Sequence, residues 1–176
     1  MRRTLLLVIA FLCISSGFSF QQPVRDDTNA RMKAAFLYNF TKYIEWPEAY
    51  REGNFVIAVY GSSPSLLTEL RNMTSTKSLG SQKFEIKSVS SLEAVGKSHI
   101  LFIPQETSYT INEVTGKLKG KSTLLVTEKS GMAKLGAAIN FVVIENKQKF
   151  ELNKSNAEKY NLKVSSNLLS LAIPVD

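Results

Sequence analysis

The chain has 176 residues, a formal net charge of +7, one cysteine and one histidine. A lone cysteine excludes a disulfide framework and a thiolate metal centre. A lone histidine leaves any zinc site dependent on several carboxylates, and no close His/Asp/Glu spacing suggests one, so neither a metal nor another cofactor is expected.

Arg2 and Arg3 precede ten uncharged, mostly apolar residues at 5–14, and small residues follow, with Gly17 and Ser19 at the spacing signal peptidase favours. The expectation is a signal peptide over residues 1–19, cleaved between Ser19 and Phe20, and an exported product. Nothing later in the chain approaches about 18 consecutive apolar residues, so stable membrane insertion is not expected. Phe11 and Leu12 are bulky where lipoprotein processing needs a small side chain, which argues against lipidation of Cys13. Cleavage then leaves a mature chain of 157 residues without a thiol and with a charge of +5. That length supports one domain burying roughly 68–70% of its unfolded surface. Its densest basic cluster, Lys117, Lys119 and Lys121, reads as the solvated end of a helix, and nucleic acid is not an expected partner.

Residues 20–28 are polar, contain Pro23 and read as a flexible leader, with a single domain over 29–176. The stretch 33–47, KAAFLYNFTKYIEWP, carries the clearest helical period. Phe36, Leu37, Phe40, Tyr43 and Ile44 share one side of a 3.6-residue helix. Asp27 or Thr28 can cap its start, and Pro47 forces a turn at Trp46. Phe36, Leu37 and Phe40 read as core. Tyr43 and Trp46 stand at the exit, where core and contact roles both stay open.

Apolar at every position, 55–60 (FVIAVY) marks a strand covered on both faces. Gly61 ends it, and Ser63 is placed to cap a helix with Pro64 first and Leu66, Leu67 and Leu70 buried. A Ser/Thr-rich connection leads to an alternating strand at 83–89, nearer the sheet edge, then a short helical turn at 92–95 and a second apolar strand at 100–103 closed by Pro104. Thr107 or Ser108 caps the next helix, built on Ile111, Val114 and Leu118 and ended by Gly120, and a strand follows at 123–127. Beyond a glycine-containing loop at 130–136, runs at 138–144 and 149–153 are spaced so closely that they pair antiparallel. Asn153 or Ser155 caps a short helix reaching Tyr160, with Asn161 in a left-handed turn. Ser165 starts a last helix that buries Leu168, Leu169, Leu171 and Ala172. Strand and helix alternate as in right-handed crossovers, so the expected fold is α/β: a three-layer sandwich, its sheet mostly parallel with helices on both faces and a C-terminal antiparallel hairpin.

In this order, AAFLYNFTKYIEWP at 34–47, IAVYG at 57–61, the strand at 123–127, Ala138-Ile139-Asn140-Phe141, Phe150-Glu151-Leu152-Asn153 and VSSNLLSLA at 164–172 span nearly the whole mature chain. On these segments the sequence resembles the YfiR/HmsC-like family of exported bacterial proteins. The resemblance implies a periplasmic regulator that binds the periplasmic portion of an inner-membrane diguanylate cyclase and holds it inactive, lowering cyclic-di-GMP and biofilm formation. A sensor kinase or another membrane receptor is the alternative partner, and a homodimer stays open. Family members can carry cysteines that form disulfides and tie activity to redox state. This chain lacks them, so redox sensing does not carry over.

No residues are expected to be catalytic. His99 stands at the start of a buried strand and reads as structural, and no serine lies in a Gly-x-Ser-x-Gly elbow. The expected contact patch for a partner comprises Tyr43, Trp46 and Pro47. The alternative function is a small-ligand-binding sensory module, its pocket lined by Gly61, Ser62, Ser63, Gln105 and Glu128 at the carboxyl ends of strands, where open parallel sheets bind ligands.

Overall fold

A computed structural model describes residues 24–176, with side chains from Thr28 onward. The expected signal peptide, Cys13 and leader residues 20–23 lie outside the described residues.

The first helix, α1 (Val24–Tyr43), begins before either expected cap, so Thr28 lies inside it, and the last residues expected in the leader are helical. It also ends earlier than Trp46 would dictate. Ile44 and Glu45 form β1, which pairs antiparallel with β9 (Lys163–Val164), and the Ser165 amide donates to the Tyr43 carbonyl at 2.9 Å. Pairing with a distant strand outweighs the helical period here. Leu37, Phe40 and Ile44 are buried as the period predicts, and Ala30 and Ala34 extend the stripe toward the N-terminus.

The remaining strands are β2 (Phe55–Tyr60), β3 (Ser78–Leu79), β4 (Gln82–Val89), β5 (Ile100–Ile103), β6 (Leu124–Thr127), β7 (Ile139–Ile144), β8 (Lys147–Leu152) and β10 (Ile173–Pro174). Between them run α2 (Pro64–Thr74), α3 (Ile111–Leu118), α4 (Met132–Leu135), α5 (Lys154–Lys159) and α6 (Ser166–Leu171). Eight strands form one sheet in the order β10-β8-β7-β6-β5-β2-β4-β3. The neighbours from β4 through β7 are all parallel, and β7 and β8 form the antiparallel hairpin.

Side-chain alternation assigns the layers. Phe55 and Phe84 lie in register on β2 and β4, and Phe84 meets Tyr38 of α1 at 5.7 Å between ring centroids. Farther along, Phe36 and Phe40 of α1 meet Phe141 of β7 and Phe150 of β8 at 5.2–6.1 Å. Helix α1 therefore crosses this face of the sheet, with α2 packed beside it. Opposite it, α3, α4 and α5 make the third layer, where Asn156 donates to the carbonyls of Ala133 and Ala137 at 2.8 and 3.1 Å. One buried polar chain runs within the sheet: Thr127 donates to Asn140 at 2.8 Å, and Asn140 to Glu151 at 3.0 Å, tying β6, β7 and β8 together with its members satisfied.

Several local readings are corrected. Helix α3 is capped by Thr110 in a reciprocal capping box with Glu113, and Thr107 bonds instead to the Tyr60 carbonyl. The Ser63 hydroxyl occupies the cap position of α2 but makes no capping bond, although Pro64 sits in the first turn as expected. Short elements β3 and α4 interrupt the expected Ser/Thr-rich connection and the expected loop at 130–136. The hairpin turns on Glu145 and Asn146 alone, both at positive φ (52° and 59°), as a two-residue type I′ turn requires. Leu171 is 68% exposed because α6 ends there and the chain straightens into β10, which pairs parallel with β8. Asn153 and Ser165 cap α5 and α6, and Asn161 has a φ of 56°, all as expected.

Candidate functional site

From β2 the chain crosses to β4 on one side and then returns to β5 on the other, so successive crossovers part at the carboxyl ends of β2 and β5. Loops diverge at such a switch point and leave a crevice. A cleft of about 700 Å³ opens there. Ser62 and Ser63 enter it from the end of β2, Gln105 from the end of β5 and Glu128 from the end of β6, so four of the five residues expected to line a ligand pocket are brought together.

Gly61, the fifth, shapes the rim rather than lining the cleft. Its φ is +89°, and a Cβ built on it would stand 2.5 Å from the Thr107 hydroxyl. That hydroxyl donates to the Tyr60 carbonyl at 3.1 Å, while the Gly61 amide donates to Val89 at 2.9 Å. Glycine lets the loops after β2 and β5 approach this closely.

Charge inside the cleft is largely internal. Glu128 pairs with Lys33 of α1 through one carboxylate oxygen and accepts the Gln105 amide at 3.0 Å through the other. The two side chains are only 10% and 18% exposed. The Glu128 charge and burial together hold the nearby Tyr109 phenol above its usual range, burial being the larger cause. Lys33, and with it Phe141 and Gln148 of the hairpin, went unrecognised as lining residues. Nothing local marks them, because their place in the cleft depends on α1 and the hairpin folding across the same end of the sheet.

The expected contact patch is divided by burial. Tyr43 and Pro47 are half-buried, whereas Trp46 is 6% exposed. Its indole N–H donates to the His99 carbonyl at 3.1 Å, and its ring meets Phe55 edge-on at 5.0 Å. An indole with its one donor satisfied inside the core supports the surface from beneath, so the reading of Trp46 as a direct contact is corrected.

His99 is structural. Its Nδ1 accepts the Val56 amide at 3.0 Å, which places the proton on Nε2, and Nε2 lies 2.6 Å from the Tyr50 carbonyl. Phe55 stacks on the ring at 4.1 Å. Burial holds the imidazole below its usual pKa. The Tyr50 carbonyl opposes that shift, and the charge of Lys97 adds to it. Among the described residues no three His, Cys, Asp or Glu side chains gather in a metal-binding group, and no helix is long and apolar enough to cross a membrane.

A comparison with curated proteins returns no match. A sequence model described as YfiR/HmsC-like matches residues 30–173, the stretch from α1 through β10 that builds the sheet, the cleft and the α1 exit. The chain therefore belongs to the YfiR/HmsC-like family, a family of periplasmic regulators of cyclic-di-GMP signalling.

Proposed function

We propose that this protein is a non-enzymatic periplasmic regulator that docks on the periplasmic portion of an inner-membrane diguanylate cyclase and holds it inactive. The observation that carries this reading is the family match across residues 30–173. The fold is compatible with such a role. A sheet whose central strands are fully buried is a rigid body, and a rigid surface that prefers one state of a partner shifts its equilibrium by the difference in binding free energy between the two states. Tyr43 and Pro47 supply the partner contact in this reading, with Trp46 bracing them. A sensor kinase is the second partner class.

Affinity purification of the tagged protein from gently crosslinked membranes tests the proposal, together with cyclic-di-GMP measured with and without the gene. The expected result is a co-purified cyclase and a rise in cyclic-di-GMP on deletion. A co-purified kinase with unchanged cyclic-di-GMP would favour the second partner class. Recovery of no membrane protein would remove the docking reading.

A further inference from the structure

The switch-point cleft has a chemistry that the docking role does not use. Among the described residues three lining side chains are charged, Lys33, Glu106 and Glu128, and the lysine is already paired with Glu128. Among the described residues no lining cation is left over to neutralise an anionic ligand, and Glu106 adds a further negative charge. Much of the remaining lining is hydroxyl and carboxamide, including Ser62, Ser63, Gln105 and Ser130.

Gln148 fixes the polarity. Its Nε2 donates to the carbonyls of Val142 and Lys149 at 3.0 and 3.1 Å, so the amide cannot be flipped without setting oxygen against oxygen. Its Oε1 is buried with no hydrogen-bond partner among the described residues. A buried acceptor of this kind calls for a donor. Beside it, Val143 of β7, paired with Gln148 and 64% exposed, supplies an apolar contact on the same face of the sheet. One wall therefore holds an unpaired acceptor just beneath its surface, the rim offers hydroxyls and amides, and Val143 can take the C–H face of a ring.

We infer that this cleft binds an uncharged, hydroxyl-rich small molecule of mono- or disaccharide type, with a ligand hydroxyl donating to Gln148 Oε1. The inference does not depend on the docking proposal, because it is read on the isolated protein.

Calorimetric titration of the mature chain tests it, with glucose, maltose, N-acetylglucosamine and N,N′-diacetylchitobiose as neutral probes and inorganic phosphate and glutamate as anionic ones. At least one neutral sugar is expected to bind and to raise Tm. Gln148→Leu should weaken that binding about tenfold, the scale of one neutral hydrogen bond. Ser130→Trp, a change at an exposed position that fills the cleft, should abolish it while leaving the unliganded Tm unchanged. The inference is overturned if none of the sugars binds, if only the anions bind, or if sugar affinity survives Ser130→Trp in a folded variant.

Discussion

His99 Nδ1 accepts the backbone amide of Val56 at 3.0 Å, and this single bond requires the ring to be neutral. Protonation would set two N–H groups against each other inside the core. The sequence contains no other histidine, so this ring is the one side chain whose ordinary pKa falls between pH 5 and 8.

The direction of the pH dependence follows. The folded pKa lies below the ordinary value because burial disfavours the charged ring. Above about pH 6.5, where the unfolded histidine is also neutral, the stabilisation is complete. As pH falls toward the folded pKa, the unfolded chain takes up a proton that the native state refuses, and stability declines by up to about 1.4 kcal/mol per pH unit. Urea unfolding at pH 7.5 and pH 5.5 should show the loss, and His99→Gln should flatten the dependence while lowering stability at both values. A wild-type profile that is level over this interval would contradict the neutral, buried assignment.

Gly61 and Thr107 make a second test, of how the cleft rim is built. Gly61→Ala meets two penalties: a φ of +89° and a Cβ 2.5 Å from the Thr107 hydroxyl. The expected destabilisation is about 2–3 kcal/mol. In the double variant with Thr107→Ala the steric part vanishes and the backbone part stays. The two changes should therefore combine to less than their sum when measured by denaturant unfolding. Strict additivity would show that the loops after β2 and β5 do not touch there.

Much of this architecture could be read from the chain because its signals are local and strong. Phe55, Val56, Ile57, Ala58 and Val59 are buried on both faces of β2, which is what an unbroken apolar run at the centre of a parallel sheet means. Asn153, Ser165 and Asn161 perform the cap and turn roles their side chains favour. What escaped depends on partners remote in sequence. Ile44 leaves the helix to pair with Val164, and Ile173 aligns beside Glu151, although nothing near either residue marks a strand. The cleft divides the same way. Ser62, Ser63, Gln105 and Glu128 were legible as strand ends, whereas Lys33 and Gln148 enter only because α1 and the β7–β8 hairpin converge on that end of the sheet. Neither Thr107 nor Ser108 caps α3, because Thr110 satisfies the same rule with Glu113 three residues on.

The α1 exit separates contact from support, and two substitutions distinguish them. Tyr43 is half-buried and its backbone carbonyl, rather than its ring, holds β9 through the Ser165 amide. Tyr43→Ala keeps that bond and removes a ring that packs against the core only from its edge, so in the docking proposal it weakens membrane co-purification by more than its modest loss of Tm explains. Trp46→Ala instead removes an indole packed on Phe55 and bonded to His99, and a large-to-small change of that kind in a core costs about 3–5 kcal/mol. Partner binding should then fail only in proportion to unfolding. Trp46→Phe keeps most of the volume and loses the Nε1 bond, at about 1 kcal/mol, and should dock normally. If Trp46→Phe abolished docking in a protein of near-native Tm, the indole itself would be in the interface, and the division between a surface formed by Tyr43 and Pro47 and a brace formed by Trp46 would be wrong.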